Sequence, residues 1–298
     1  MKTLHKTAIS AAAVALLSGL SMTAFAADEP AAEVEVSPIT ANVTIVNDYR
    51  YRGISQSNFK PAIQGGFDYA HESGFYIGNW NSSISWISDS TSGTGINAAA
   101  AGNKSVSAPI EMDFYAGFKK EFIGEGFASD LGLLQYYYPT SGYPTNNLLA
   151  NPNTTEVYAA QNFVFGPVNG FVKVSYALTT LFGNINSSGS YYPDLTLNYD
   201  TGVYGITLNG HIGYQYVAGS QPTGGSPTAS FPGLKNSTLY SYTDWKLGLT
   251  KDFGGGLSGA LAYVGTNAAT YGGAYSYGSP QGKNLGRSGG LISLTKTF

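Results

Sequence analysis

Three histidines and no cysteine leave this chain little with which to run side-chain catalysis. His5 falls in an N-terminal apolar stretch, and His71 abuts the turn signal Glu72-Ser73-Gly74. His211 alone lies in an alternating segment, on its polar face, where a serine partner could make a hydrolase. No motif accompanies it, and a lone polar-face histidine is ordinarily a lining residue. Gly286-Arg287-Ser288-Gly289-Gly290 has nucleophile-elbow spacing, but that elbow needs a following helix and a downstream histidine. Gly254 to Gly259 matches G-x-G-x-x-G, yet it falls between two strand-like segments with no helix N-terminus to hold a pyrophosphate. No enzyme activity, cofactor or metal site is expected. The sequons at Asn81 and Asn236 reflect composition.

The remaining ionisable residues are ordered differently: they recur at alternate positions, opposite apolar ones. In 203–217, Tyr204, Ile206, Leu208, Gly210, Ile212, Tyr214 and Tyr216 share one parity, and Thr207, Asn209, His211, Gly213 and Gln215 the other. In 109–122, Ile110, Met112, Phe114, Ala116, Phe118 and Phe122 oppose Glu111, Asp113, Tyr115, Lys119 and Glu121. In 243–253, Trp245, Leu247, Leu249 and Phe253 oppose Asp244, Lys246, Thr250 and Asp252. Period-2 alternation means strands with one apolar face.

The elements carrying these faces are read as follows. Lys2, His5 and Lys6, then apolar Ala8 to Leu20, then Ala24-Phe25-Ala26, form a secretory signal over residues 1–26. Its apolar run is too short to span a bilayer as a helix. Removing Lys2 and Lys6 takes the formal charge from −3 to −5. Residues 27–40, with Asp28, Glu29, Glu33 and Glu35, read as a periplasmic leader, and 41–298 as one domain. There is no basic patch for nucleic acid.

Twelve segments alternate within that domain: 41–52, 62–71, 75–86, 109–122, 127–138, 155–165, 171–181, 191–199, 203–217, 243–253, 257–267 and 287–298. The apolar face of 127–138 and of 257–267 is ambiguous, so ten or fourteen strands remain open. Gly-containing connections of a few residues (72–74, 123–126, 166–170, 200–202, 254–256) alternate with long ones rich in Ser, Thr, Asn, Gly and Pro (87–108, 139–153, 182–190, 218–239, 268–286). The first, Gly53 to Pro61, is intermediate. Only 11% of residues are charged, 14% are aromatic, and no long apolar run follows the signal. These features predict an all-β, transmembrane, antiparallel up-and-down β-barrel of about twelve strands, with short periplasmic turns and long extracellular loops. Tyr49, Tyr51, Trp80, Trp86, Tyr136 to Tyr138, Tyr191, Tyr192, Tyr216 and Tyr240 cluster at segment ends and are assigned to interfacial girdles.

A charge facing lipid at mid-depth costs about 2–4 kcal/mol for Arg or Lys, so ionisable residues should face the lumen. If Val43, Ile45, Tyr49 and Tyr51 face lipid, then Asp48, Arg50 and Arg52 point inward. The same parity places Asp68, Glu111, Asp113, Lys119, Glu121, Glu156, Lys173, Asp194, His211, Asp244 and Lys246 inside. Two readings stay open for Asp48, Arg50 and Arg52: solvation of the interior by cross-wall pairing, or a constriction of opposed charges. Gly53-Ile54-Ser55-Gln56-Ser57 could fold inward as a narrowing loop or remain at the rim.

The stretch from Ala41 to Ser57 (ANVTIVNDYRYRGISQS), with Pro61 to Tyr69 (PAIQGGFDY), Ser73 to Trp80 (SGFYIGNW) and the ending Ser293 to Phe298 (SLTKTF), resembles the TorF-type family of proteobacterial proteins classed as porins. Lys296 departs from the apolar residue usual there. From about Ser88 to Gln281 the likeness is one of general pattern. The resemblance implies an exported outer-membrane porin and brings neither a substrate nor catalytic residues. The expected function is therefore passive diffusion of small hydrophilic solutes or ions, with a mild cation preference from the acidic excess of the inward set. The alternatives are a closed barrel with a structural or adhesion-like surface role and, last, an outer-membrane hydrolase using His211. The expected partners are outer-membrane lipid, lipopolysaccharide and, through the terminal Phe298, the barrel-assembly machinery.

Overall fold

The structure, a computed structural model, describes residues 37–92, 101–102, 106–146, 149–223 and 232–298. The signal, most of the leader and parts of three long connections lie outside the described residues.

Twelve strands close into one barrel. They are β1 (Ile39–Val46), β2 (Ala62–Ala70), β3 (Phe75–Ser83), β4 (Ile110–Gly124), β5 (Phe127–Tyr137) and β6 (Thr154–Phe165). Then come β7 (Val168–Ala177), β8 (Tyr191–Asp200), β9 (Ile206–Gln215), β10 (Tyr242–Gly254), β11 (Leu257–Thr266) and β12 (Gly289–Thr297). Each pairs antiparallel with its sequence neighbours, and β1 closes on β12 from Asn42↔Thr297 to Val46↔Ser293. Closure leaves no open sheet edge. Among the described residues, no helix is long and apolar enough to cross a membrane.

The connections sort by end. Turns after β2, β4, β6, β8 and β10 are tight, and both chain termini of the barrel lie at that end. At the tip of the β10–β11 hairpin, Gly256 has φ +78°, and a Cβ there would sit 2.4 Å from the Thr297 carbonyl oxygen. Only glycine fits. The long connections all lie at the other end.

Period-2 alternation sets the outer surface. Ile45, Ile63, Phe114, Leu131, Val172, Leu195, Leu247, Leu261 and Ile292 are all exposed, and every strand adds to this belt. It far exceeds the apolar patch a water-soluble monomer tolerates. Polar and charged side chains are buried inside instead, Glu111, Asp113, Asp130, Glu156 and Asp244 among them. A one-residue slip would exchange the two faces, so the pairing register is strongly specified. The parities of 127–138 and 257–267 resolve with Leu131, Leu133, Leu261 and Tyr263 outward.

Three expectations are corrected. The first strand stops at Val46, short of Arg52. Tyr49 and Tyr51 therefore do not face lipid: Tyr49 is 3% exposed, and both pack inside the barrel. Most of the assigned girdle is interior as well. Trp80, Tyr136, Tyr138 and Tyr192 are buried, and Trp86 opens a short helix, Trp86–Thr91, packed inward. Tyr137 and Tyr191 remain outside, with Tyr216 stacked on Tyr191 at 4.8 Å. Tyrosine suits either location, having an apolar ring and a polar tip, so parity rather than residue type decides.

The core is thus inside the barrel and lopsided. Tyr76, Trp80, Tyr115, Leu134, Tyr136 and Tyr158, from β3 to β6, pack with Tyr49 into one cluster. The wall of β11 and β12 presents small or uncharged inward residues: Ala260, Ala262, Val264, Leu291 and Ser293. One half of the lumen is filled and the other is open.

Candidate functional site

The segment between β1 and β2, residues 47–61, folds into the lumen. Arg50–Tyr51 pairs with Ile54–Ser55 across a two-residue turn. Arg52 (φ 45°) and Gly53 (φ 77°) at its tip are both left-handed, which is the type I′ geometry of a tight hairpin. The tip presses on the far wall: a Cβ on Gly53 would lie 2.5 Å from Thr266 Cγ2 and 2.8 Å from Asp244 Cβ. Asp48 braces the base, accepting from Ser55 Oγ (2.6 Å) and from Arg50 Nε (2.6 Å). Arg50 Nη1 also donates to the carbonyls of Gly53 (2.8 Å), Leu285 (3.0 Å) and Arg287 (3.1 Å). The hairpin is thereby tied to the last long connection.

From the tip, Arg52 reaches β6 and β9. Its Nη2 donates to both oxygens of Glu156 (2.7 and 3.0 Å), and Nη1 to Gln215 Oε1 (2.5 Å). The guanidinium lies 4.2 Å from the Tyr192 ring centroid and 4.8 Å from that of Tyr51. One guanidinium nitrogen on a carboxylate, the other on an amide oxygen, and aromatic rings against the plane make an arrangement that suits an arginine better than a lysine. Tyr49 Oη, on the same segment, donates to Glu111 Oε1 (2.5 Å), whose other oxygen accepts from Tyr138 (2.7 Å).

Asp48, Arg50 and Arg52 therefore do point inward, but from a loop rather than from a strand. In the filled half, Asp68 accepts from Tyr115 (2.5 Å) and Asp113 is fully buried. Asp130 accepts from Tyr76 (2.6 Å). Sequence reading missed Asp130 because the parity of 127–138 was ambiguous; its cross-strand partner Lys119 was the available signal. Lys119 is half-buried near the short-turn end. Glu121, of the same parity as Lys119, is exposed at the short-turn end of β4, and its carboxylate accepts from the turn amide of Gly126 (2.9 Å).

On the open side, His211 lies between two carboxylates, Nε2 2.8 Å from Asp244 Oδ2 and Nδ1 3.0 Å from Asp194 Oδ1. Asp244 also accepts from Tyr192 (2.8 Å). Both imidazole nitrogens are engaged, leaving neither to take a proton from a serine. Lys173 and Lys246 face the same space.

Two cavities lie on opposite faces of the hairpin. One is roofed by Asp48 to Gly53 and walled by β7 to β12, with Lys173, Asp194, His211, Asp244 and Lys246 on one side and Ala260, Ala262 and Leu291 on the other. The second opens among the long connections and is rich in aromatic residues. Tyr51 lines both.

Several solved structures align with this chain. A KdgM porin aligns at 6% identity over 87% of this chain and 97% of its own, with a TM-score of 0.46. NanC porin aligns at 8% over 87% and 98%, with a TM-score of 0.47. OprD of Pseudomonas aeruginosa aligns at 10% over 89% and 67%, with a TM-score of 0.39. No curated protein matches the sequence. Residues 27–298 match the family model described as a bacterial protein of unknown function, Gcw_chp, and the chain belongs to that family.

Proposed function

We propose that this protein is a porin-like channel of a Gram-negative outer membrane, passing small hydrophilic solutes or ions passively along one side of its lumen. The observation that carries this is the pairing of an apolar belt on all twelve strands with a polar, partly open interior. Such a surface matches acyl chains, and closure satisfies every strand edge in a medium without water. The TorF-type resemblance and the signal-like residues 1–26 agree with export to that membrane. The exposed terminal Phe298 fits recognition by the assembly machinery, and the belt fits lipid and lipopolysaccharide as surroundings.

The passage is narrow. Twelve strands fall between barrels of eight, which side chains fill, and of sixteen, which hold an aqueous channel. The filled half and the Arg52 hairpin narrow it further, so conductance should be small. The carboxylates of the filled half, Asp68, Glu111 and Asp130, are held by tyrosines, away from the open side. Around the open cavity Arg50, Arg52, Lys173, Lys246 and His211 face Asp48, Asp194 and Asp244, and Arg52 also holds Glu156. With the tyrosine-held carboxylates outside this cavity, the basic groups slightly outnumber the acidic ones around it, and we assign the passage a weak anion preference.

Purified protein in planar bilayers should give small discrete conductance steps, and liposomes carrying it should swell in small sugars. A closed barrel with a surface role, which the inward hairpin favours, would leave the liposomes impermeable and sink the channel reading.

A further inference from the structure

The cavity above the hairpin has features that conduction alone does not require. It lies between two aromatic walls. On one side Tyr51, Tyr138 and Phe182 pack edge to face with ring centroids 5.4–6.5 Å apart, and Trp86 packs on Tyr138 at 5.4 Å. On the other, Tyr277 packs against Tyr240 (6.1 Å) and Tyr242 (5.2 Å), again edge to face. These walls come from connections far apart in sequence, and the hairpin forms the floor.

Each wall carries one polar group that the protein leaves unmet. Trp86 Nε1 and Ser276 Oγ are both shielded from solvent and have no hydrogen-bond partner among the described residues. An unpaired buried donor or hydroxyl is costly, so a bound molecule meeting both recovers part of that penalty. The other polar groups facing the space are nearly all neutral: Ser55, Gln56, Ser90, Asn184 and Gln215. The one carboxylate, Asp89, already accepts from Ser85 (2.8 Å) and Asn58 (3.1 Å). Burial raises the phenols of Tyr240 and Tyr277 above their ordinary values, so that wall stays uncharged.

We propose that this vestibule is a binding site for a neutral sugar of one or two rings, taken up before passage through the lumen. Apolar C–H faces of a sugar ring lie against the aromatic walls, and its edge hydroxyls accept from Trp86 Nε1 and exchange hydrogen bonds with Ser276 Oγ. An aromatic hydrocarbon face would fill the slot but leave Trp86 Nε1 and Ser276 Oγ unpaired. An ionised sugar acid would meet no compensating cation.

The test is isothermal titration calorimetry of the folded full-length protein in detergent with maltose, glucuronate and benzyl alcohol. Because binding is read in micelles, failure here leaves the channel reading untouched, and impermeable liposomes would leave this site untouched. Maltose should bind saturably in the millimolar range. Trp86→Phe and Ser276→Ala keep both walls, and each should weaken binding by about tenfold, the loss of one hydrogen bond. Absence of saturable maltose binding, affinity unchanged in both variants, or tighter binding of glucuronate or benzyl alcohol would overturn the proposal.

Discussion

Arg52, at the tip of an inward hairpin, holds Glu156 on the opposite wall with two hydrogen bonds of 2.7 and 3.0 Å, both side chains almost wholly buried. A buried pair of this kind is a latch more than a source of net stability, because desolvation offsets most of the attraction. Removing one partner is another matter, since it strands the other charge.

Arg52→Ala should therefore destabilise the hairpin's docked position by about 3–5 kcal/mol. Gln215 and Tyr192 lose their contacts with it as well. The expected outcome is severalfold larger and noisier single-channel conductance while the barrel itself stays folded. Unchanged conductance would mean that the hairpin does not restrict the passage.

Gly53→Ala probes the same latch from its tip. A left-handed non-glycine residue costs about 1–2 kcal/mol, and the added Cβ would meet Thr266 and Asp244 within 3 Å. Faster proteolysis of residues 47–61 and more frequent opening in bilayers are expected. Wild-type cleavage rates and gating would argue that the tip has room the geometry denies it.

How far these features were legible in the sequence depends on parity. Where one face of a strand meets an apolar medium, period 2 fixes direction, and His211, Asp244 and Lys246 could be placed inside from the sequence alone. Parity fails once the strand ends. Asn47 and Asp48 leave the sheet, and Arg52 and Gly53 reverse the chain with positive φ, so extending β1 to Arg52 sent Tyr49 and Tyr51 to the wrong side. Nothing in a tyrosine distinguishes a lipid girdle from a lumenal core donating to Asp68, Glu111 and Asp130. Aromatic clustering therefore predicted the wrong location for most of its members, while the bare alternation of Leu and Asp predicted the right one.

The outer face offers a check on membrane placement. Leu247 is 69% exposed in the middle of β10, next in sequence to inward Lys246. Leu247→Arg should lower the folding free energy in lipid vesicles by about 2–4 kcal/mol, the cost of a cation at mid-depth. Denaturant titration in vesicles measures it. A variant as stable as wild type would place β10 outside the hydrocarbon band.

Lys246→Glu tests which residues set selectivity. Lys246 lines the open cavity, with His211 and Val264 as its cross-strand neighbours and Asp244 two residues before it. The substitution changes the charge of the passage by two units while leaving the tyrosine-held carboxylates of β2 to β5 untouched. If the open side carries the current, reversal potentials in a salt gradient should move from weakly anion-preferring to clearly cation-preferring, most strongly at low ionic strength where screening is least. Reversing Lys119 instead, at the short-turn end beside Asp130, should move them much less. Equal shifts from the two variants would mean that ions sample the whole interior, and the division into a filled and an open half would not govern permeation.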